Sequence, residues 1–302
     1  MRTRSIFILL CAITFLTISC APKKRATVVF QSDFGLKDGA VSAMKGVALG
    51  VSPDLGLYDL THEIPAYNIW EAAYRLEQTA PYWPAGTVFV SVVDPGVGTS
   101  RKSVVMRSKS GHYFVTPDNG TLTLVARSLG IAEVREIDEA INRRSQSGNS
   151  YTFHGRDVYA YTGARLAAGI ITFDKIGKRL PDSVISIHFQ PAQKQGNTIT
   201  GMIPVLDVQY GNIWTNIPDS LIRSLPAAPG DSLTVSILHK DSIVYQQNIP
   251  LVNTFGDVPE GRPLAYFNSL LQFSVALNMG NFASIYNISS GPDWNVRVSS
   301  MR

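Results

Sequence analysis

The sequence predicts an α/β fold in which a mainly parallel sheet with flanking helices is followed by a smaller β-rich domain. Two observations predict this fold. Between residues 27 and 169, short apolar runs alternate with helix-like segments, which is typical of a parallel sheet covered by helices. After a polar stretch at 190–197, short β-type runs follow one another. We therefore expect an N-terminal α/β domain at 26–191 and a C-terminal β-rich domain at 192–302.

The N-terminal elements are predicted from the alternation of two periodicities. Short apolar runs indicate strands, and segments whose apolar residues recur at helical spacing indicate helices packed on the sheet. The last of these helices is rich in Ala and aromatic residues. In chain order we expect a strand at 27–30, a helix at 41–49, a strand at 56–60, a helix at 69–80, a strand at 87–93, a hairpin of 103–107 and 112–116, and helices at 122–129 and 155–168.

The C-terminal domain is predicted from short β-type runs that are separated by turn residues. Gly, Pro and Asn between the runs favour turns rather than long helical connections. The runs lie at 198–208, 232–239, 242–249 and 282–288. Residues 263–267 and the segment after them depart from this pattern. The sequence contains no internal repeat that would indicate a solenoid or a propeller.

The first 19 residues predict a secretory signal peptide. Arg2 and Arg4 precede an apolar stretch at 6–18 that ends at Ser19 and Cys20. A basic start, a short apolar core and a small residue are typical of an exported precursor, and the Cys that follows resembles the lipobox of bacterial lipoproteins. The stretch is shorter than the roughly 20 residues that span a bilayer, which disfavours a retained membrane anchor. We expect a lipid anchor on Cys20 and a cell-envelope location, facing the periplasm or the cell surface.

Cysteine and charge content disfavour several classes of function. The chain has two cysteines, Cys11 within the signal and Cys20 after it, so a processed and acylated protein would have no thiol for catalysis or metal binding. Lys and Arg number 27 against 23 Asp and Glu, and no basic stripe with interleaved aromatic residues indicates nucleic-acid binding. No pair of histidines has zinc-binding spacing, so we expect no metal site.

Six short runs dense in Asp, His, Arg, Asn and Gly indicate the functional site. Most lie at the C-terminal end of an apolar run, where open α/β sheets bind ligands. A kinase is disfavoured, because the sequence has no Gly-rich loop followed by a strand Lys. A dinucleotide-binding site is disfavoured, because the run at 96–98 lacks the third glycine of that fingerprint. The runs are SDFG at 32–35, DLTH at 59–62, VDPGVGT at 93–99, PDNG at 117–120, TFHGRD at 152–157 and YGNIWTN at 210–216.

The order of these runs resembles the S-adenosylmethionine hydroxide adenosyltransferase family, the hydrolase relatives of the fluorinase and chlorinase. The resemblance extends from about residue 28 to residue 283. It implies an N-terminal α/β domain joined to a C-terminal β-barrel-like domain, and a homotrimer in which each ligand lies between the N-terminal domain of one chain and the C-terminal domain of its neighbour. It also implies hydrolysis of S-adenosylmethionine to adenosine and methionine, with no cofactor.

The resemblance implies that Asp94, Arg101 and His154 are catalytic. Water or hydroxide would attack C5′, and methionine would leave as a neutral thioether that needs no proton. Arg101 stays protonated, so its charge would stabilise hydroxide. A neutral His154 could accept a hydrogen bond or a proton from the water, and Asp94 would hold the Arg or the His in place. Taken singly, these residues could also be a turn Asp, a solvated charge and a residue at a helix start.

Further residues match positions that hold the substrate in the family. Asp33 matches the carboxylate that binds the ribose hydroxyls, and Asn212 matches the amide at the adenine edge. The other matches are Asp38, Asp207 and Ser269 toward the methionine end, and Met279 near adenine. Two positions depart from the hydrolase pattern, since Leu271 replaces a usual Gly and Ser274 a usual Glu.

Two other functions are alternatives to hydrolysis. Halide transfer to the same carbon is disfavoured, because the fluorinase has Tyr at the positions of Asp94 and His154 and Ser at that of Gly155. A second alternative belongs to another class, an envelope lipoprotein that binds adenosine or a related nucleoside without turnover. The export signal motivates it, since S-adenosylmethionine is a cytoplasmic metabolite.

Overall fold

The computed structural model describes residues 26–226 and 230–300. The predicted signal peptide at 1–19 and the predicted lipidation site Cys20 lie outside these residues. Within the part of the chain that is described, no helix is both long enough and apolar enough to cross a membrane.

A six-stranded, mostly parallel sheet forms the N-terminal part, with the strand order β2-β1-β3-β5-β4-β6. β1 pairs in parallel with β2 and β3, β3 pairs in parallel with β5, and β4 runs antiparallel to β5 and β6. The predicted sheet and hairpin are confirmed, whereas β6 was not predicted. The strands are β1 (Thr27–Ser32), β2 (Gly56–Thr61), β3 (Val88–Val92), β4 (Ser103–Ser108), β5 (Tyr113–Pro117) and β6 (Ile131–Glu136).

Helices cover both faces of this sheet. Val28 and Phe30 of β1 pack in one apolar cluster with residues of α1 and α5. Val29, between them, packs in a second cluster with residues of α2 and α3. Because alternate residues of β1 are buried on opposite faces, the consecutive residues 28–30 are all apolar. The helices are α1 (Ala40–Val51), α2 (Ile69–Thr79), α3 (Thr123–Ser128), α4 (Glu139–Asn142) and α5 (Tyr161–Ala167).

The predicted helix at 155–168 has two parts. It begins as a π-helix, Gly155–Ala160, and continues as α5. π-Helical turns are rare and occur mostly at functional sites. Gly163 of α5 lies against β3, where a Cβ on this residue would be 2.6 Å from Cγ2 of Val90. This close approach requires glycine.

Two antiparallel sheets form the C-terminal part and share one apolar core. Their strand orders are β13-β14-β10-β9 and β12-β11-β15-β8-β7. The predicted β-rich C-terminal part is thereby confirmed, and its described strands form two open sheets around that core rather than one closed barrel. The strands are β7 (Gln193–Gln195), β8 (Thr198–Ile203), β9 (Val205–Leu206), β10 (Ile213–Pro218), β11 (Ser232–His239), β12 (Ser242–Pro250), β13 (Pro263–Phe267), β14 (Gln272–Leu277) and β15 (Gly291–Ser300). A short helix, α6 (Asp219–Ile222), follows β10.

The prediction of a β-type run at 282–288 is wrong. Residues Phe282–Ile285 form a short helix, α7. The Asn281 side chain accepts a hydrogen bond from the backbone N–H of Ser284 at 2.7 Å, which caps the helix at its start. Phe282 is buried and packs edge-on against Tyr245, so its apolar character reflects core packing rather than strand formation.

Helix α2 joins the two parts of the chain. Trp70 Nε1 donates to the backbone oxygen of Pro204 at 3.0 Å, and Tyr74 Oη donates to Gln272 Oε1 at 3.1 Å. Around these bonds, Tyr74 and Ala73 pack with Val205 and Leu124 in one apolar cluster. A third hydrogen bond runs from Arg75 Nη2 to the backbone oxygen of Leu206 at 3.4 Å, so apolar packing and hydrogen bonds together fix this contact.

The close approach of α5 to β3 yields a stability prediction. Gly163→Ala places a methyl group into Val90, and overpacking of this kind lowers the free energy of unfolding by about 1–3 kcal/mol. Gly46→Ala, in α1, is the matched control because no atom lies within 4 Å of its added Cβ. This control should raise stability by about 0.5–1 kcal/mol, the helix-propensity difference between Gly and Ala. Denaturant titrations in which Gly163→Ala equals or exceeds wild-type stability would contradict the packing.

Candidate active site

The functional residues of the N-terminal part meet at the carboxyl edge of its sheet. Asp33 directly follows β1, Asp94 follows β3, and these strands are parallel neighbours. His154 immediately precedes the π-helix. Asp33, Asp94 and His154 line one cavity of about 280 Å³, with apolar walls from Phe34 and Phe153. This is the place where open α/β sheets bind ligands.

Asp94 and Arg101 form a buried, bidentate ion pair. Arg101 Nε donates to Asp94 Oδ1 at 2.9 Å, and Nη2 donates to Oδ2. The two side chains are only 11% and 6% exposed. Burial alone would lower the pKa of Arg101, but the hydrogen bonds to Asp94 raise it above its usual value, so the guanidinium stays charged. A fixed positive charge is therefore paired with Asp94, which lines the cavity.

Arg101 keeps hydrogen-bonding capacity for a ligand. Its guanidinium has five N–H donors. Two are used by Asp94, and a third donates from Nη1 to Ser103 Oγ at 2.9 Å. The remaining donors can bind an anionic or polar oxygen without breaking the pair.

Tyr159 packs against this pair, and the sequence did not predict that it belongs to the site. Its hydroxyl lies 3.1 Å from Ser103 Oγ and 3.5 Å from Asp94 Oδ2, and its ring lies under the Arg101 guanidinium at 5.7 Å. Burial raises the pKa of Tyr159 far above its usual value, so the phenol stays neutral. The sequence indicated only an aromatic helix residue, which core packing would explain equally well.

His154 is buried and lies beside charges that the sequence did not single out. Its side chain is 5% exposed, and its Nε2 lies 3.2 Å from Arg143 Nη2 and 3.7 Å from Glu139 Oε1. Burial lowers the pKa of His154, Glu139 opposes this shift, and Arg101 and Arg143 add to it. The imidazole is therefore neutral near pH 7. Of the two partners considered for Asp94, the structure shows a direct bond to Arg101.

Asp33 is held by a strained backbone segment. Its Oδ2 accepts a hydrogen bond from the backbone N–H of Tyr67 at 2.9 Å. Tyr67 has a φ of +68°, a conformation that is uncommon for an aromatic residue and occurs at ligand sites. Tyr67 also lines the cavity and is largely exposed. Its contribution to the site could not be predicted from a single Tyr in a loop.

The DLTH run at 59–62 buttresses the loop that carries Asp33. His62 Nδ1 lies 2.7 Å from the Oγ of Ser32, the residue before Asp33, and His62 Nε2 lies 3.0 Å from Asp59 Oδ1. Asp59 also pairs with Lys45 at 2.6 Å. Ser32 is completely buried, so this Ser–His–Asp arrangement has no access to a substrate and serves the fold.

The predicted residues of the C-terminal part line a different cavity. Asp207, Asn212 and Met279 surround a cavity of about 710 Å³ together with the aromatic rings of Tyr210 and Tyr266. Asn212 Nδ2 donates to Asp207 Oδ2 at 3.1 Å. Met279 is 82% exposed, so its side chain is free to cover a ligand. An apolar cavity with an amide and a carboxylate suits a nucleobase.

Two predicted residues lie apart from both cavities. Asp38 is exposed and accepts a hydrogen bond from the backbone N–H of Ala40 at 2.8 Å, at the start of α1. Ser269 lines a third cleft, of about 650 Å³, together with Glu71, Arg75 and Asp207. Within one chain, the structure therefore groups Asp33 with the Asp94, Arg101 and His154 cluster, and separates them from the C-terminal residues.

The departures from the hydrolase pattern have structural consequences at one turn. Leu271 has a φ of +56°, the left-handed conformation that glycine adopts most readily, which accounts for the usual Gly there. The turn is held by Asn268, whose Oδ1 accepts from the backbone N–H groups of Leu270 and Gln272. Ser274 lies fully buried on β14. The hydrogen bonds of Asn268 thus hold a turn in which Leu271 adopts the left-handed conformation.

Comparisons with known proteins agree with this architecture. The SAM hydroxide adenosyltransferase N-terminal domain matches residues 28–177, and the SAM hydroxide adenosyltransferase C-terminal domain matches residues 201–295. A fluorinase of Actinopolyspora mzabensis is 29% identical and covers 91% of this chain and 97% of its own length. An (R)-S-adenosyl-L-methionine hydrolase of Salinispora tropica is 34% identical, covering 87% of this chain and 95% of the hydrolase. An uncharacterized conserved protein from Thermotoga maritima has a similar solved structure, with a TM-score of 0.83, 32% identity, and coverage of 90% of this chain and 99% of that one.

Proposed function

The chain belongs to the SAM hydroxide adenosyltransferase family, and from that premise we propose that it hydrolyses S-adenosyl-L-methionine to adenosine and L-methionine. The observation that carries the proposal is the buried Asp94–Arg101 pair, which shares its site with a neutral His154. Several relatives are named (R)-S-adenosyl-L-methionine hydrolases. Assays should therefore supply both sulfonium epimers separately.

The proposed reaction is a displacement at the sulfonium-bound carbon. An oxygen bound beside Arg101 attacks C5′, the C5′–O bond forms, and the C5′–S bond breaks. The electron pair of that bond stays on sulfur, so methionine leaves uncharged and needs no acid. The positive charge of Arg101 favours the hydroxide form of the attacking water, and the cavity holds it close to C5′. The proton released from water passes to solvent or to His154.

Two features of the N-terminal cavity favour hydrolysis over halide transfer. Asp94 and His154 stand where the fluorinase has tyrosines, and here both line the cavity while Asp94 pairs with Arg101. Gly155 stands where the fluorinase has Ser, and a Cβ at this position would lie 3.1–3.3 Å from Val92, Phe34 and Met44. A side chain there would crowd the cavity wall.

The catalytic assignment predicts a large loss of turnover on removal of either polar group. Arg101→Ala or His154→Ala should lower kcat by at least ~100-fold, because water activation is lost, while adenosine binding measured by calorimetry changes little. Arg179→Ala is a matched control, since Arg179 forms only an exposed pair with Asp182. Wild-type turnover in both Ala variants would contradict the mechanism. A wild-type protein that binds adenosine but releases none from either epimer would favour the nucleoside-binding alternative.

We further propose that the complete site forms between subunits of a homotrimer. Asp33 and Asn212 line separate cavities of one chain, although both match residues that hold a single nucleoside. A neighbouring chain would bring its C-terminal cavity against the N-terminal one. A site of that kind would enclose the substrate more fully than either open cavity alone.

Subunit mixing tests this arrangement. Asp33→Ala and Asn212→Ala chains should each be nearly inactive, but trimers assembled from both should regain activity, because some of their sites combine the two intact residues. Refolding each variant alone provides the control. If the site lay within one chain, the mixture would stay as inactive as its components. Light scattering should give the mass of a trimer for the active species.

We also propose that the enzyme is attached to the cell envelope through a lipid on Cys20. Support comes from the sequence pattern of residues 1–20. Cys20→Ser should abolish incorporation of a fatty-acid analogue and change membrane fractionation, whereas Cys11→Ser, the matched control within the signal, should still be labelled. A mature N-terminus other than Cys20 in mass spectrometry would contradict the anchor and leave the enzymatic proposal unaffected.

A further inference from the structure

We infer that His154 holds the attacking oxygen with the N–H of Nδ1, and that Arg143 is the positioning residue that fixes this tautomer. This inference rests on the proposed hydrolysis and assigns a more specific role within it. In place of a general base that removes a proton, His154 becomes a hydrogen-bond donor to hydroxide. Arg143 and Glu139 were not among the residues predicted from the sequence.

The tautomer follows from the partner of Nε2. Arg143 Nη2 lies 3.2 Å from His154 Nε2, and a guanidinium has donors but no acceptor. Nε2 must therefore offer a lone pair to Arg143. Glu139 Oε1, at 3.7 Å, is beyond hydrogen-bond distance and does not compete for this nitrogen. A neutral imidazole that accepts at Nε2 carries its proton on Nδ1.

Arg143 is itself fixed in this position. Its Nη2 also donates to Glu139 Oε2, four residues earlier, and its Nη1 donates to the backbone oxygen of Ser150 at 3.4 Å. The guanidinium lies against the ring of Tyr151, with 4.9 Å between its centre and the ring centroid. The side chain is only 11% exposed. These contacts keep its donor directed at His154.

The Nδ1 atom of His154 needs a partner that the described protein does not supply. It is buried and has no hydrogen bond within residues 26–226 and 230–300. A buried donor without an acceptor is unfavourable, which points to a ligand oxygen at this position. His154 lines the cavity that also contains Asp94, whose partner Arg101 has unused donors. In the inferred arrangement one oxygen accepts from both His154 Nδ1 and an unused Arg101 donor, and two such donors would stabilise hydroxide.

When His154 donates a hydrogen bond and removes no proton, the proton of the attacking water passes to solvent. Water bound at Arg101 and His154 loses its proton to solvent, and the resulting hydroxide forms the C5′–O bond as the C5′–S bond breaks. The charged groups that act on His154 are Glu139, Arg143, Arg101 and Asp94. Protonation of Nε2 in acid would bring a proton against Arg143 and break this arrangement. Activity should therefore fall as pH decreases through the lowered pKa of His154.

The direct test is the tautomer of His154 in the purified enzyme. The chain has five histidines, so ring-nitrogen NMR of protein labelled with 15N-histidine is tractable, and His154→Asn identifies the signals that disappear. We expect a protonated Nδ1 and an unprotonated Nε2 at pH 7.5. A protonated Nε2 would overturn the inference. Because this measurement needs no turnover, it separates failure of the inference from failure of the proposed function.

Variants of the two flanking charges give opposite kinetic shifts. Arg143→Met should mix the two tautomers and move the acid limb of kcat/KM to higher pH, because a positive charge beside His154 is lost. Glu139→Gln should move the same limb to lower pH, and Arg143→Lys should restore the wild-type position. Arg144→Met is the matched control, since Arg144 pairs with Asp157 and should leave the His154 signals unchanged. Shifts of the same sign in Arg143→Met and Glu139→Gln would contradict the positioning role.

A final pair of variants distinguishes a donor from a base. The amide nitrogen of Asn can approximate an Nδ1–H but cannot remove a proton from water. His154→Asn should therefore be roughly 10-fold more active than His154→Ala, about the value of one hydrogen bond. Equal activities in these two variants would favour a general base instead.

Discussion

The buried pair of Asp94 and Arg101 is the interaction on which the rest of the site depends. Removing one member of such a pair leaves a buried charge uncompensated, at a cost of about 3–5 kcal/mol. The pair also joins three elements, because Asp94 follows β3, Ser103 begins β4, and Tyr159 lies in the π-helix. The contacts that keep these elements together therefore also hold a positive charge at the carboxyl edge of the sheet.

The fold explains why distant sequence runs meet at this edge. Parallel strands β1 and β3 end side by side. Asp33 and Asp94 therefore lie at neighbouring positions although they are far apart in the sequence. His154 precedes the π-helix and lines the cavity. Tyr159, five residues later in the π-helix, packs its ring against the Arg101 guanidinium. The C-terminal part carries a second cavity with the residues suited to a nucleobase. The proposed substrate, S-adenosylmethionine, has adenosine at one end and an amino acid at the other, and its length suits the proposed site in which both cavities meet.

Sequence patterns predicted the N-terminal sheet well, because strands buried on both faces of a parallel sheet contain consecutive apolar residues, as at 28–30 of β1. The patterns failed where tertiary contacts decide the structure. Residues 282–285 have strand-like composition, yet Asn281 caps a helix there and the core accepts Phe282. The family and the fold class are confirmed by the comparisons, whereas the domain boundary near 192 and the roles of the site residues remain predictions. Arg143 and Glu139 could not be recognised in sequence, because two charges on a short polar segment are usually solvated.

In the proposed reaction, an oxygen held beside Arg101 and His154 attacks C5′ of S-adenosyl-L-methionine. A single-turnover reaction in 18O-labelled water tests it most directly, with adenosine and methionine analysed by mass spectrometry. We expect one 18O atom in the 5′-hydroxyl of adenosine and none in methionine. Adenosine without the label, or no adenosine at all from either sulfonium epimer, would contradict it.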